Sequence, residues 1–215
     1  MANSRLKVGA VIYPGFEMLD LFGPLEMYSL LGPEQIEIVM LAEEDLPVPS
    51  AMGQYISSGP RAMPDCLLSE APTLDIVVVP GGFGTIPQLE NEALLSFLRR
   101  QAESAKVISS VCTGSVLLAR AGLLEGRRAT TNKQFFALAT NEPADVQWVE
   151  AARWVEDDRY FTSSGVSAGM DMSLAVISRL FGTETAEFVA VAAEYTWHRD
   201  ANADPFTQHL NGMSL

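Results

Sequence analysis

The chain has 215 residues, 48% of them hydrophobic, and a formal net charge of −13, enough to bury a core in one compact domain (residues 1–215) beneath a solvated acidic surface. An acidic chain without a Lys/Arg stripe repels a phosphate backbone, so nucleic acid is not an expected partner. No apolar run reaches the roughly 18 residues of a membrane-crossing helix, and Met1 to Lys7 lacks the basic-then-apolar layout of a secretory signal, so a cytoplasmic protein without membrane contact is expected.

Leu6 to Tyr13 (LKVGAVIY) is a valine-rich apolar run ending at Pro14-Gly15, which predicts a strand buried on both faces. Met18 to Leu31 carries apolar residues at helical spacing and is closed by Gly32-Pro33. Ile36 to Leu41 predicts a second strand, and the Pro-, Gly- and Ser-rich stretch from Glu43 to Glu70 predicts loops with a short hairpin. Ile76 to Val79 (IVVV) is the strongest buried-strand pattern and runs into Pro80-Gly81-Gly82, where the backbone must turn tightly or approach a ligand. Asn91 to Ser104 predicts a crossover helix, Lys106 to Val111 a strand, and Thr113 to Ala121 a helix that stops at Gly122. A hairpin is expected around Glu156-Asp157-Asp158-Arg159, then two closing helices, Ala168 to Phe181 and Thr185 to Trp197, and a poorly ordered tail over 198–215. Strands alternating with helices indicate an α/β fold: a doubly wound, mostly parallel sheet with helices on both faces.

Cys112 lies where a buried strand breaks into a helix, in Ser110-Val111-Cys112-Thr113-Gly114, the form of a nucleophile elbow. At a helix N-terminus the thiolate is favoured, so a lowered pKa is expected. The alternative is a structural cysteine behaving as a small hydrophobe. The second glycine turn, Gly81-Gly82-Phe83-Gly84, favours the functional assignment: it follows a neighbouring strand, and its backbone N–H groups, with that of Thr113, can meet negative charge developing on a bound molecule. Neither a phosphate-loop lysine nor a dinucleotide fingerprint follows these glycines. Cys66 lacks such a setting and is expected to pack as an apolar residue. Two cysteines, with only His198 and His209 far along the chain, make neither a disulfide framework nor a zinc site, so no metal or cofactor is expected.

Because neither histidine falls near a strand end, a Cys-His dyad is not expected. Asp20, in Glu17-Met18-Leu19-Asp20-Leu21-Phe22-Gly23-Pro24, is a carboxylate within an apolar patch after the first strand, where burial would raise its pKa and let it carry a proton. Helix capping is its alternative role. Glu17 is a rival acid nearer the turn and more exposed; Asp171 is assigned to capping or dipole stabilisation at the start of a helix.

Five segments carry a resemblance: Asp20 to Pro24, Val79 to Gly82, Val111 to Ser115, Ala121 to Thr131, and Ser164 to Asp171. Between about Val8 and Tyr195 the chain resembles the ThiJ/PfpI superfamily (class I glutamine amidotransferase-like), and within it the isonitrile hydratases. Thr113, where protease and chaperone members often carry histidine, and Asp20, where other branches commonly carry glutamate, both follow the hydratases. The resemblance implies a flavodoxin-like fold and a small-molecule substrate. It further implies that Cys112 attacks the terminal carbon of an isonitrile, that Asp20 shuttles the proton and positions water, and that an N-substituted formamide leaves. Thr113 would contribute its N–H and, through its hydroxyl, hold the thiolate or a water, with Gly82 and Phe83 lining an oxyanion-type site. It also implies a homodimer, for which Trp154, Phe181 and Phe188 are candidate interface residues. The sequence departs from the relatives after Thr131: they often continue with histidine and an aromatic, whereas Asn132 and Lys133 stand here. Other outcomes of the same fold are a redox or electrophile sensor using Cys112, a glyoxalase- or amidase-like enzyme, and the sensing domain of transcriptional regulators, whose basic helix-turn-helix extension is not seen after Leu215.

Overall fold

A computed structural model describes residues 5–213. In chain order it holds β1 (Leu6–Val11), α1 (Met18–Ser29), β2 (Ile36–Ala42), β3 (Val48–Pro49), β4 (Arg61–Ala62), β5 (Cys66–Leu67), β6 (Ile76–Val79), α2 (Thr85–Gln88), α3 (Glu92–Ala102), β7 (Val107–Val111) and α4 (Gly114–Arg120). There follow β8 (Arg128–Ala129), α5 (Phe136–Thr140), β9 (Gln147–Trp148), β10 (Trp154–Asp157), β11 (Tyr160–Ser163), α6 (Ala168–Phe181) and α7 (Thr183–Ala192). The main sheet runs β10-β11-β7-β6-β1-β2-β5 and is parallel except for the β10–β11 hairpin. Every side chain of β6 and β7 is buried, as the unbroken apolar run of β6 and the small residues of β7 require when helices cover the sheet. Helix pairs α1/α6 and α3/α4 pack against one another and complete the doubly wound, flavodoxin-like arrangement.

From β1 the chain moves outward to β2 and β5, then returns to β6 on the other side of β1. This reversal is the topological switch point, where the strand ends part and leave a crevice. The ends of β1, β6 and β7 therefore deliver Tyr13, Gly81 and Cys112 to one place.

The C-terminal region departs from expectation. Helix α7 stops at Ala192 rather than continuing to Trp197: Glu194 takes φ 49°, and the chain turns so that the Tyr195 hydroxyl (3.0 Å) and the His198 amide (2.8 Å) both donate to Asp171 Oδ1. Asp171 is thus a fully buried hub, also accepting from Arg153 Nε at 2.7 Å, and not a cap. Residues 198–213 are not a loose tail. Arg153 N donates to Ala201 O (2.8 Å), Asp204 N to Ala151 O (2.9 Å), and Asn211 N to Lys133 O (2.8 Å). The polar composition of this segment hid its partners, which are buried charges far away in sequence; residues 214 and 215, like residues 1–4, lie outside the described residues. Trp154 is buried in the chain's own core, which removes it as an interface residue, whereas Phe188 is 65% exposed.

Candidate active site

At the end of β7 the backbone of Cys112 takes φ 58°, and Thr113 returns to helical angles to start α4. The left-handed region costs a non-glycine residue on the order of 1–2 kcal/mol, so the surroundings must hold it. They do so with several bonds. The Cys112 N–H is shared between the carbonyls of Ser163 (3.2 Å) and Ser164 (3.1 Å), and its carbonyl accepts from the hydroxyls of Ser115 (3.1 Å) and Thr131 (3.0 Å). Gly81 allows the β6 turn to close over the elbow: a Cβ there would lie 2.5 Å from Thr113 N and 2.9 Å from Cys112 Cβ.

Asp20 sits in the first turn of α1, fully buried, with Oδ2 accepting the Gly81 N–H at 2.9 Å. Oδ1 has no hydrogen bond of full geometry among the described residues, and the thiol of Cys112 and the Val166 backbone are neighbours of the carboxyl. Burial pushes Asp20 up to about 8, against the opposing pull of the Gly81 amide. The carboxyl is therefore largely neutral at pH 7.

Cys112 is 4% exposed. Burial first, and the Asp20 carboxyl next, raise its pKa, while the Thr113 N–H and the Asn132 amide oppose them. This corrects the expected lowering: the elbow does place the sulfur at a helix start, but desolvation outweighs the few N–H groups there. Resting Cys112 and Asp20 thus hold their protons side by side.

Thr113 also differs from expectation. Its hydroxyl accepts from Gly82 N at 3.1 Å and lies 2.9 Å from Thr85 Oγ1, which in turn is 3.2 Å from the Tyr13 hydroxyl. It ties the elbow to the β6 turn rather than holding the sulfur. The Gly82 N–H is occupied by this bond, so Gly82 lines the site without offering an oxyanion donor, while the Thr113 N–H favours the ionised sulfur.

Cys112 forms part of a pocket of about 190 Å³ walled by Glu17, Phe83, Ile86, Phe135, Leu138 and Val166, with Thr113 and Gly82 also lining it. Phe83 and Phe135 meet edge to face at 5.5 Å between ring centres. The walls are largely apolar, which suits a small uncharged molecule. A larger cavity of about 350 Å³ lies between the Glu43–Pro49 loop and the start of α3, and its described lining includes neither cysteine. Among the described residues no three His, Cys, Asp or Glu side chains gather closely enough to hold a metal ion. Cys66 is half-buried on edge strand β5, where burial raises its thiol. His198 is fixed by its own amide to Asp171 and by Nε2 to Ala203 O (3.0 Å), outside the pocket lining.

Two residues at the site were not anticipated. Asn132 donates Nδ2 to Cys112 Sγ at 3.1 Å; its only sequence signal is the departure after Thr131. Val166 carries φ 50°, an unfavourable conformation for a β-branched residue, at the pocket wall beside Asp20, and nothing in Gly165-Val166-Ser167 announces it.

The DJ-1/PfpI family pattern matches residues 6–179. The chain belongs to the DJ-1/PfpI family. It is 36% identical over 201 residues to the isonitrile hydratase of Pseudomonas putida, covering 94% of this chain and 81% of that protein. It is 33% identical over 193 residues to the HTH-type transcriptional regulator GbdR of Pseudomonas aeruginosa, covering 87% of this chain but only 51% of the regulator. Among solved structures, a ThiJ/PfpI family protein from Pseudomonas syringae superposes with a TM-score of 0.78 at 30% identity, covering 90% of this chain and 76% of that one. DJ-1/PfpI members thus include an enzyme of hydratase type and regulators, and the family fold agrees with the doubly wound sheet seen here. No helix among the described residues is long and apolar enough to cross a membrane.

Proposed function

We propose that this protein is an isonitrile hydratase, with Cys112 as nucleophile and Asp20 as the proton carrier. The observation that carries this is the pairing of an elbow cysteine with a fully buried, largely neutral carboxyl in a small apolar pocket. The similarity to the Pseudomonas putida hydratase supports the same substrate class.

Sγ forms a bond to the terminal isonitrile carbon; Asp20 gives its proton to that carbon and takes the thiol's, leaving a thioimidate on Cys112. Water then adds to the same carbon, and its proton passes through Asp20 to the substrate nitrogen. Finally the C–S bond breaks with its electron pair on sulfur, the hydroxyl proton returns through Asp20 to the sulfur, and an N-substituted formamide leaves. A carboxyl that is neutral at rest can give and take a proton in each step without leaving a buried charge behind. Phe83, Phe135 and Leu138 would seat the apolar substituent, and the Thr113 N–H would favour the sulfur's charged form as charge comes and goes. A cytoplasmic homodimer belongs to the same proposal, supported by Phe188 and Val191 standing 65% and 77% exposed on α7.

The test is turnover of a simple aryl isonitrile followed by formamide formation, with intact-mass detection of the adduct. The wild type is expected to turn over many equivalents, and Cys112→Ala none, with its fold retained by circular dichroism. Stoichiometric modification of Cys112 without formamide would favour the alternative, an electrophile sensor, which is supported by the regulators among the relatives.

A further inference from the structure

Asn132 stands beside the reacting sulfur, and its orientation is set by the backbone around it. Oδ1 accepts from Gln134 N (2.9 Å) and Phe135 N (3.2 Å), an arrangement only an oxygen can satisfy, so Nδ2 must be the atom turned toward Cys112 Sγ at 3.1 Å. The preceding Thr131 hydroxyl holds the Cys112 carbonyl at 3.0 Å, which fixes the segment after β8 against the elbow. On the other side Gly165 leaves the amide its room: a Cβ there would collide with Nδ2. One residue of the chain thus gives up its side chain where Asn132 needs space, and another bonds the elbow to the segment that carries Asn132.

We propose that Asn132 is a further catalytic residue, a fixed neutral donor that stabilises the Cys112 sulfur whenever it carries negative charge. The proposal rests on Cys112 being the nucleophile, but not on the isonitrile as its substrate. An amide does not titrate, so it donates at every pH; the titratable groups near the sulfur are Asp20, Glu17 and Tyr13, and none is a permanent donor to it. In the forward step the N–H meets the charge that passes through sulfur as the thiol proton leaves, and in the last step it meets the same charge as the C–S bond breaks.

The test measures iodoacetamide alkylation of Cys112 against pH, read by peptide mapping so that Cys66 is scored separately. In Asn132→Ala the midpoint is expected to rise by about one pH unit, with alkylation roughly tenfold slower at a fixed pH below it. Gly165→Ala, which displaces the amide while leaving Cys112 and Asn132 in the chain, is expected to shift the midpoint in the same direction. Circular dichroism verifies the fold, and Gly165→Ala carries the test if Asn132→Ala fails to fold. An unchanged midpoint in both variants would overturn the role of Asn132. Because alkylation needs no isonitrile, a shifted midpoint without isonitrile turnover retains Asn132 and removes the hydratase, whereas turnover with unchanged midpoints removes only Asn132.

Discussion

Two buried polar regions of this molecule are built on opposite rules. Beneath the C-terminal segment, Lys133, Arg153, Asp171 and Asp204 bring two cations and two anions together: Arg153 Nε meets Asp171 Oδ2 at 2.7 Å, and Asp204 lies 3.7 Å from Arg153 and 3.8 Å from Lys133. Lys133 also donates to Thr130 Oγ1 (2.8 Å) and Ala152 O (2.7 Å). Around Cys112 the reverse holds. Among the described residues Asp20 is equally buried but pairs with no cation, and one of its oxygens lacks a full hydrogen bond. Paired charges fasten one part of the chain to another, whereas an acid buried without a counter-charge keeps its proton and has it available to hand over.

The largest effect that would sharpen this contrast comes from the paired region. Asp171→Ala leaves the Arg153 guanidinium without its close partner and releases Tyr195 and the His198 amide, and is expected to cost about 3–5 kcal/mol in denaturant unfolding. A loss below about 1 kcal/mol would show the cluster to be incidental.

A smaller effect of opposite sign is expected at Asp20. Its folded pKa is raised, so folding favours the protonated form. The stability this group supports is complete below the unfolded value near 4 and falls as pH rises, until the penalty is full above about 8. Asp20→Asn keeps an acceptor for the Gly81 N–H and removes the ionisation. It is expected to be more stable than wild type by at least about 1 kcal/mol at a pH near 9, with the difference shrinking toward acid pH. Melting curves across pH read this directly, and a difference that does not change with pH would contradict it.

The two regions also differ in how legible they were in the sequence. The apolar runs of β1, β6 and β7 and the small residues around Cys112 are local patterns, so the parallel sheet and the elbow could be read from them, whereas Asp20, with helix capping as its alternative role, is brought to Cys112 only by packing. The charge cluster joins residues 133, 153, 171 and 204, and no local pattern encodes such contacts; its members looked like caps, loop residues and an unstructured tail. At the site itself, two features depended on three-dimensional packing. The Thr113 hydroxyl turned to Gly82 and Thr85 rather than the sulfur, and burial reversed the expected direction of the Cys112 shift. Asn132 was visible as a departure from relatives, but its meaning required the distance to Sγ and the space at Gly165.

That Asp20 is a neutral carboxylic acid at the working pH is most directly tested by infrared difference spectroscopy of the wild type against Asp20→Asn across the range from about pH 5 to about pH 10. A protonated-carboxyl carbonyl band, present in the wild type and absent from the variant, is expected to disappear with a midpoint near 8. Its absence at neutral pH, with Asp20 ionised from about pH 4 upward as in an exposed aspartate, would contradict a proton carrier beside Cys112.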